Sequence, residues 1–286
     1  MTPRSADPQQ MTAIDDALQR WRQGDCVLGE QWFVFRTDTA RPLTEAGARA
    51  ASEDIDVAEE RVVGLMVLTQ TCDLVRRCSE RPYVDVCPLV EVDEAIHHEI
   101  ERWRRPNYAF IPALAGRHLV ADLDRVMTVE KSVVAGWERV TGSPADADAR
   151  RLSLALARKR ARVAFPDDFS TLLRPLSTRL SSKHDKNSGE GRALRALEEV
   201  RVLARPSWDA AQVSLIFWFI RPEGVTTFEH QEWDRHLEAW EKLLPCGGRF
   251  VVVDATIQTW DDLTAKEYRE SDPLDLDHLS TRSAAP

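Results

Sequence analysis

Cys72, Asp73, Arg76, Arg77 and Cys78 fall within one short polar stretch, Gln70 to Pro82. Those side chains offer two chemistries. A thiol attacks only as thiolate, and cations such as Arg76 and Arg77 beside Cys72 would lower its pKa. Asp73 offers a general base or a cation ligand, and an arginine can hold a phosphate and stabilise charge developing on it. The plainer alternative makes Cys72 a small buried residue at a strand end and Asp73 a turn cap that accepts backbone N–H bonds. A second concentration of chemistry is the run Arg150 to Arg162, RRLSLALARKRAR. Its cations Arg150, Arg151, Arg158, Lys159, Arg160 and Arg162 are candidate phosphate ligands, continued by Arg174, Arg179, Lys183, His184 and Lys186. Several cations on one helical face neutralise phosphates in a salt-dependent way without reading sequence. The alternative is a solvated helix meeting acidic parts of the same chain or of a protein partner.

Metal chemistry has less support. Structural zinc takes four tetrahedral ligands, commonly in close pairs separated by two to four residues. Cys72 and Cys78 are separated by five residues, Cys87 falls in an apolar run, and His97 stands four residues before Glu101 in helical spacing. No metal and no cofactor is expected. The loop Ser181 to Gly191, SSKHDKNSGEG, lacks the order of a Walker loop, and no GxGxxG, HExxH or GxSxG occurs. It reads as a mobile linker, with a substrate-contacting loop as the alternative.

The elements that carry these residues follow from periodicity. Val62 to Thr69 and Tyr83 to Val92 are apolar and β-branched enough for two strands, so the Gln70–Pro82 loop is presented at a strand end. Pro88 implies an edge or a bulge in the second. Ile14, Leu18 and Trp21 predict a short helix before Gly24, and Cys26 to Arg36 a strand bent or broken at Gly29. Thr37 to Glu60 reads as a surface loop or loose helix, Asp93 to Arg105 as a helix ended by Pro106, and Tyr108–Leu114 with His118–Val126 as two strands. Thr141-Gly142-Ser143-Pro144 marks a boundary, followed by helices over Asp146–Ala164 and Phe169–Leu180. Further on, VSLIFWFI at Val213 to Ile220 is a buried strand. Trp233, Leu237, Trp240 and Leu244 form one helical stripe, and Phe250 to Asp254 a last strand. The fold class expected is α+β. A lead and helix occupy 1–20, a small bent antiparallel β-barrel-like domain 21–140, and a helix-covered sheet with the basic segment 141–286.

Composition bounds the partners. With 43% apolar residues, the chain of 286 residues can bury a sizeable core. A net charge of −9 argues against a surface coated everywhere in nucleic acid or anionic lipid. Arg150 to Arg205, however, holds 14 Lys or Arg against 6 Asp or Glu, so this segment carries +8 and the remainder −17. RNA or DNA engaged through 150–205 is the expected partner. Five cysteines in no secreted-domain spacing and a polar opening, Met1 to Arg20, predict reduced thiols in a cytoplasm. The longest apolar run, Val213 to Ile220, is too short to span a bilayer, so no membrane partner is expected.

Trp21 to Val92 resembles the front half of the MazF/PemK-like toxin barrels. The matching residues are Gly24-Asp25 before the first strand, GLMVLTQTCD at Gly64 to Asp73, and VDVCPLVEV at Val84 to Val92. The resemblance implies a bacterial toxin or defence component that cleaves RNA. It places the family's basic residue at Arg61, while Val90 stands where a Thr or Ser would follow Pro88-Leu89. Under an enzyme reading Arg61 and Arg76 hold the phosphate and Asp73 serves as base, and thiol chemistry at Cys72 is a separate alternative.

Overall fold

The computed structural model describes residues 7–103, 105–160, 164–184, 186–224, 227–228 and 231–274. The chain divides into two compact units, Met1–Ala161 and Arg162–Pro286. Mixed α and β structure fills both.

The first unit opens with helix α1 (Pro8–Leu18), capped by the Asp7 side chain, and strand β1 (Cys26–Arg36). Helix α2 (Glu45–Ser52), within the stretch read as loop or loose helix, is started by Thr44, whose hydroxyl accepts from the Gly47 N–H. Strand β2 (Val57–Val67) pairs antiparallel with β1 and begins five residues before the apolar run. Its early residues alternate between exposed and covered, whereas Leu65, Met66 and Val67 are all buried. The change has a packing cause: Leu65 and Val67 join one apolar cluster with Leu18, Phe33 and Val86, and Met66 joins another with Cys87, Leu89 and Leu152. A strand covered on both faces loses its alternation. Two glycines make the β1–β2 pairing possible. Gly29, at φ 104°, lies where the register shifts, and a Cβ on Gly64 would stand 2.4 Å from the Val27 carbonyl oxygen.

A single-turn helix, α3 (Thr71–Leu74), follows, then strand β3 (Tyr83–Glu91) and helix α4 (Glu94–Glu101), whose first turn is capped by Asp93. Strand β4 (Tyr108–Phe110) leads into a 3₁₀ turn at Pro112–Arg117, where the reading from sequence had extended the strand. Strands β5 (Leu119–Asp122) and β6 (Met127–Glu130) lie in succession along β3, with helix α5 (Lys131–Ala135) after them. The sheet runs β1-β2-β3-β5-β4, with β6 also on β3. Pro88 therefore sits in a central strand instead of at an edge. It is tolerated because β2 pairing ends at Pro88 and β5 pairing begins at Leu89, a junction at which a missing N–H costs little. The Val34 N–H reaches the Met127 sulfur at 3.4 Å, but among the described residues no ladder joins β1 to β6 and no closed barrel is found. Helix α6 (Asp146–Arg160) belongs to this unit, beyond the turn at which the sequence suggested a boundary. Of its leucines, Leu152 is buried and Leu156 packs beside it, while Leu154 is exposed, so one face suffices.

The second unit begins with helix α7 (Asp167–His184), which carries Pro175 inside it, and helix α8 (Gly189–Ala196), capped by Ser188. The region read as a polar linker is therefore largely helix ends and a cap. Strands β7 (Glu199–Arg205) and β8 (Val213–Ile220) pair antiparallel. The short pair β9 (Thr227–Phe228) and β10 (Gln231–Glu232) precedes helix α9 (Trp233–Glu241). Strand β11 (Phe250–Gln258) then pairs parallel with β8, and helix α10 (Ala265–Glu270) leads to β12 (Asp272–Leu274) on the far side of β7. Phe169, Leu176, Phe217, Phe219, Trp240 and Phe250 fill the core, as the periodicity of β8 and α9 requires. Leu274 docks at 7% exposure, and Leu276 and Leu279 lie outside the described residues.

Candidate functional site

The Gln70–Pro82 loop is held from beneath. Lys131 is only 1% exposed, and its Nζ donates to the carbonyl oxygens of Asp73 at 3.1 Å and Arg76 at 2.5 Å. Burial pushes its pKa down, and the Asp15 carboxylate pulls it back up. Asp15 also accepts from the Cys78 N–H at 2.7 Å. Burial, with Asp15 next, pushes the Cys78 thiol up. At the surface of this loop Cys72 is exposed, with its Sγ 3.7 Å from the Gln70 side-chain oxygen. Arg76 turns to Asp73, Nε to Oδ1 at 3.5 Å.

Arg61 is elsewhere. It pairs in register with Trp32 near the middle of β2 and contacts Glu30 at 2.9 Å. A strand rise of about 3.3 Å per residue puts it roughly 20 Å from Val67, the end of β2 that leads to the loop. Asp73 and Arg76 are thus together, with Cys72 beside them, and Arg61 is not with them. The Gly24-Asp25 pair has a structural use: Asp25, 1% exposed, accepts from the Arg22 N–H at 2.7 Å and from Arg139 at 2.9 Å. Its carboxyl is nonetheless raised, because burial outweighs those bonds.

The basic segment is divided by the fold. In α6, Arg150 pairs with Asp146, Lys159 with Asp124, and Arg160 is exposed. Arg162 lies outside the described residues. Arg151 and Arg158 turn inward to the end of α4, donating to the carbonyl oxygens of Glu101 and Trp103 respectively. The later cations belong to the second unit, where Arg179 grips Glu190 through two 2.9 Å bonds and Arg201 is buried. The cations of 150–205 are thus shared between the two units, Arg150 to Arg160 in the first and Arg174 to Arg205 in the second.

Helix α6 and the α4–β4 connection bring arginines and aromatic rings together. The Arg151 guanidinium lies 5.4 Å from the Trp103 ring and 4.9 Å from that of Phe110. Arg105, bonded to Glu99 at 2.6 Å, and Arg158 line the same recess with Tyr108 and Phe110, around a cavity of about 10 Å³. Trp103 adopts φ 66°, a left-handed conformation that reverses the chain and sets its ring beside Arg151.

Phe110 is shared with a second group. On it rests the His97 ring, centroids 5.2 Å apart, and His118 lies 5.1 Å from His97. His97 is 6% exposed and its Nε2 has no hydrogen-bond partner. Burial, with His118 next, lowers its pKa, so it is neutral near pH 7. His118, half-buried, is fixed at φ 51° by a bond from its N–H to Ala115 and another from the Val92 N–H to its carbonyl. No family model and no curated protein matches this chain.

Sequence reasoning passed over Trp103, Arg105, Tyr108, Phe110 and His118. The signal was present in WRRPNYAF at Trp103 to Phe110, where cations and aromatics interleave as they do on surfaces that stack bases. Among the described residues, no group of three or more His, Cys, Asp or Glu is arranged to hold a metal ion, and no helix is long and apolar enough to cross a membrane.

Proposed function

We propose that the first unit engages single-stranded nucleic acid at the Trp103–Arg151 surface, as the RNA-directed component of a bacterial toxin or defence system. The observation that carries this reading is the stacking of the Arg151 guanidinium on Trp103 and Phe110, with Arg105 and Arg158 in the same recess. Aromatic faces accept bases of any sequence, and neighbouring guanidinium groups neutralise the backbone that joins them. The toxin or defence setting, and the description of the bent sheet as barrel-like, rest on the resemblance of Trp21–Val92 to the MazF/PemK-like barrels.

The test is fluorescence anisotropy of labelled single-stranded RNA and DNA with the full chain over a range of salt. Binding is expected to weaken with salt, and each phosphate contact adds about 0.7 to the slope of log K against log salt. Arg158→Glu and Trp103→Ala are each expected to weaken binding at least about tenfold. Absence of binding at low salt refutes the reading and leaves an acidic protein as the partner to seek.

A further inference from the structure

We infer that β11 is a self-association edge, through which the second unit pairs antiparallel with β11 of a second copy of this chain and joins two four-stranded sheets into one. The inference is independent of the nucleic-acid reading, and this sheet lies outside the stretch Trp21–Val92 that carries the barrel resemblance.

The two edges of the sheet are built differently. One is β12, three residues long and carrying Pro273, which has no N–H to offer a neighbour. Short edge strands and edge prolines are how soluble proteins keep their sheets from pairing with one another. The other edge is β11, nine residues long with the sequence FVVVDATIQ, and neither proline nor lysine interrupts it. At about 3.3 Å per residue the strand offers roughly 30 Å of edge. Its one side is taken by the parallel ladder to β8, with a single shift of register at Val253. To its other side no strand pairs among the described residues. Of the nine residues only Phe250 is buried, and Val251 and Val253 are 53% and 55% exposed. Apolar β-branched side chains are those through which neighbouring strands stabilise each other.

The occupant that fits this edge is β11 itself. Antiparallel pairing of a strand with its own copy is isologous: a twofold axis normal to the sheet sets the outward N–H groups of each copy against the outward carbonyls of the other. Asp254 is the only charged residue in the strand, so every register but the one that centres on it sets it against an uncharged neighbour. Helix α9 packs on β11 and carries exposed Asp234, Arg235, Glu238, Glu241 and Lys242. The same axis therefore sets helices of mixed sign beside each other and opposes no block of like charge. Assembly closes at two, because both outer edges of the joined sheet are then β12 with its proline. Pairing along one strand covers less than the about 1,600 Å² of a standard interface, so a dissociation constant of about 1–100 μM is expected.

The experiment uses the full chain from about 1 to 300 μM, a range that brackets this affinity. A reductant is present because Cys72 and Cys246 are exposed. Mass is read by sedimentation velocity, and amide exchange in peptides covering 250–258 by mass spectrometry. The expected result is a monomer–dimer equilibrium in which exchange over 250–258 slows at least about fivefold from the lowest to the highest concentration. Val251→Lys and Val253→Lys in one chain are expected to weaken association at least about tenfold, by setting like charges across the new ladder. Both positions are exposed, so the urea midpoint of this variant at the lowest concentration should match that of the wild type. Val34→Lys, at an exposed valine of β1 in the first unit, is expected to leave association unchanged. A monomer at the highest concentration, growth beyond the dimer, a dimer that the β11 lysines leave intact, or one lost in Val34→Lys overturns the inference. Slow exchange over 250–258 that does not depend on concentration also overturns it, and assigns the edge to another segment of the same chain. The wild-type exchange decides the matter even where the lysine variant fails to fold.

Discussion

Lys131→Met should loosen the Gln70–Pro82 loop without disturbing the sheet beneath it. Methionine keeps an apolar stem of similar length and removes only the ammonium, whose two bonds hold the carbonyls of Asp73 and Arg76. A hydrogen bond to a charged group contributes about 1.5–3 kcal/mol, so the pair is worth roughly 3–6 kcal/mol before the cost of burying the ammonium. That cost is real here, because burial is the largest influence on Lys131 and lowers its pKa. Carbonyls left partly open to water recover some bonding as well. A net loss of about 2 kcal/mol follows, confined to the loop. Since 1.4 kcal/mol is a tenfold change in an equilibrium, the open loop becomes about 30 times more populated. The reporter is Cys78, half-buried in this loop and bonded through its Sγ to the Met11 carbonyl at 3.6 Å. Its alkylation is expected to accelerate about 30-fold in Lys131→Met, while labelling of exposed Cys72 changes little. Unchanged labelling of Cys78, or a global loss of stability in urea with no selective exposure, would refute the idea that Lys131 clamps the loop.

Two further outcomes follow from buried ionisable groups. His97 has a folded pKa below its unfolded value of about 6.5, so the stability it protects is complete above that value and is lost as pH falls through 6.5 toward the folded pKa. The groups acting on it are His118, Glu101 and His98, and thermal unfolding at pH 8 and pH 5.5 should show an acid loss that His97→Phe reduces. Arg201→Met should destabilise the second unit by about 3–5 kcal/mol, the scale for stranding one partner of a buried pair. Arg201 is 5% exposed, contacts Glu199 at 2.5 Å and donates to Ser271 Oγ at 2.8 Å and to the Tyr268 carbonyl at 2.9 Å. Urea unfolding checks it, and a change below about 1 kcal/mol would show that the pair is dispensable.

What the sequence made legible was whatever a short window can hold. VSLIFWFI could only be a buried strand, and Trp233, Leu237 and Trp240 could only share a helix face, because each pattern is complete within its own element. The start of β2 escaped because Val57 to Arg61 is mostly polar and only one of its faces is covered. Asp73 and Arg76 were legible as neighbours in one short polar stretch, and the structure turns Arg76 to Asp73. The distance to Arg61 was not, since a strand separates residues that sequence leaves close. The Trp103 site needed two distant segments to meet: Arg151 looks like a solvated cation until α4 and β4 supply the rings on which it rests. Lys131 was hidden for the same reason, as its partners are carbonyls that no side-chain pattern announces.

The order of strands in the second sheet, β11-β8-β7-β12, gives biosynthesis a definite sequence of events. Its earliest strand, β7, pairs at once with β8 but is bordered on its other side by β12, the last strand to be made. Until Leu274 has emerged, a nascent chain presents the outer edge of β7 with its backbone unpaired, and Arg201 without the Ser271 and Tyr268 oxygens that receive it. A ribosome that stalls within the α10 region therefore leaves behind a sheet with an open, adhesive flank.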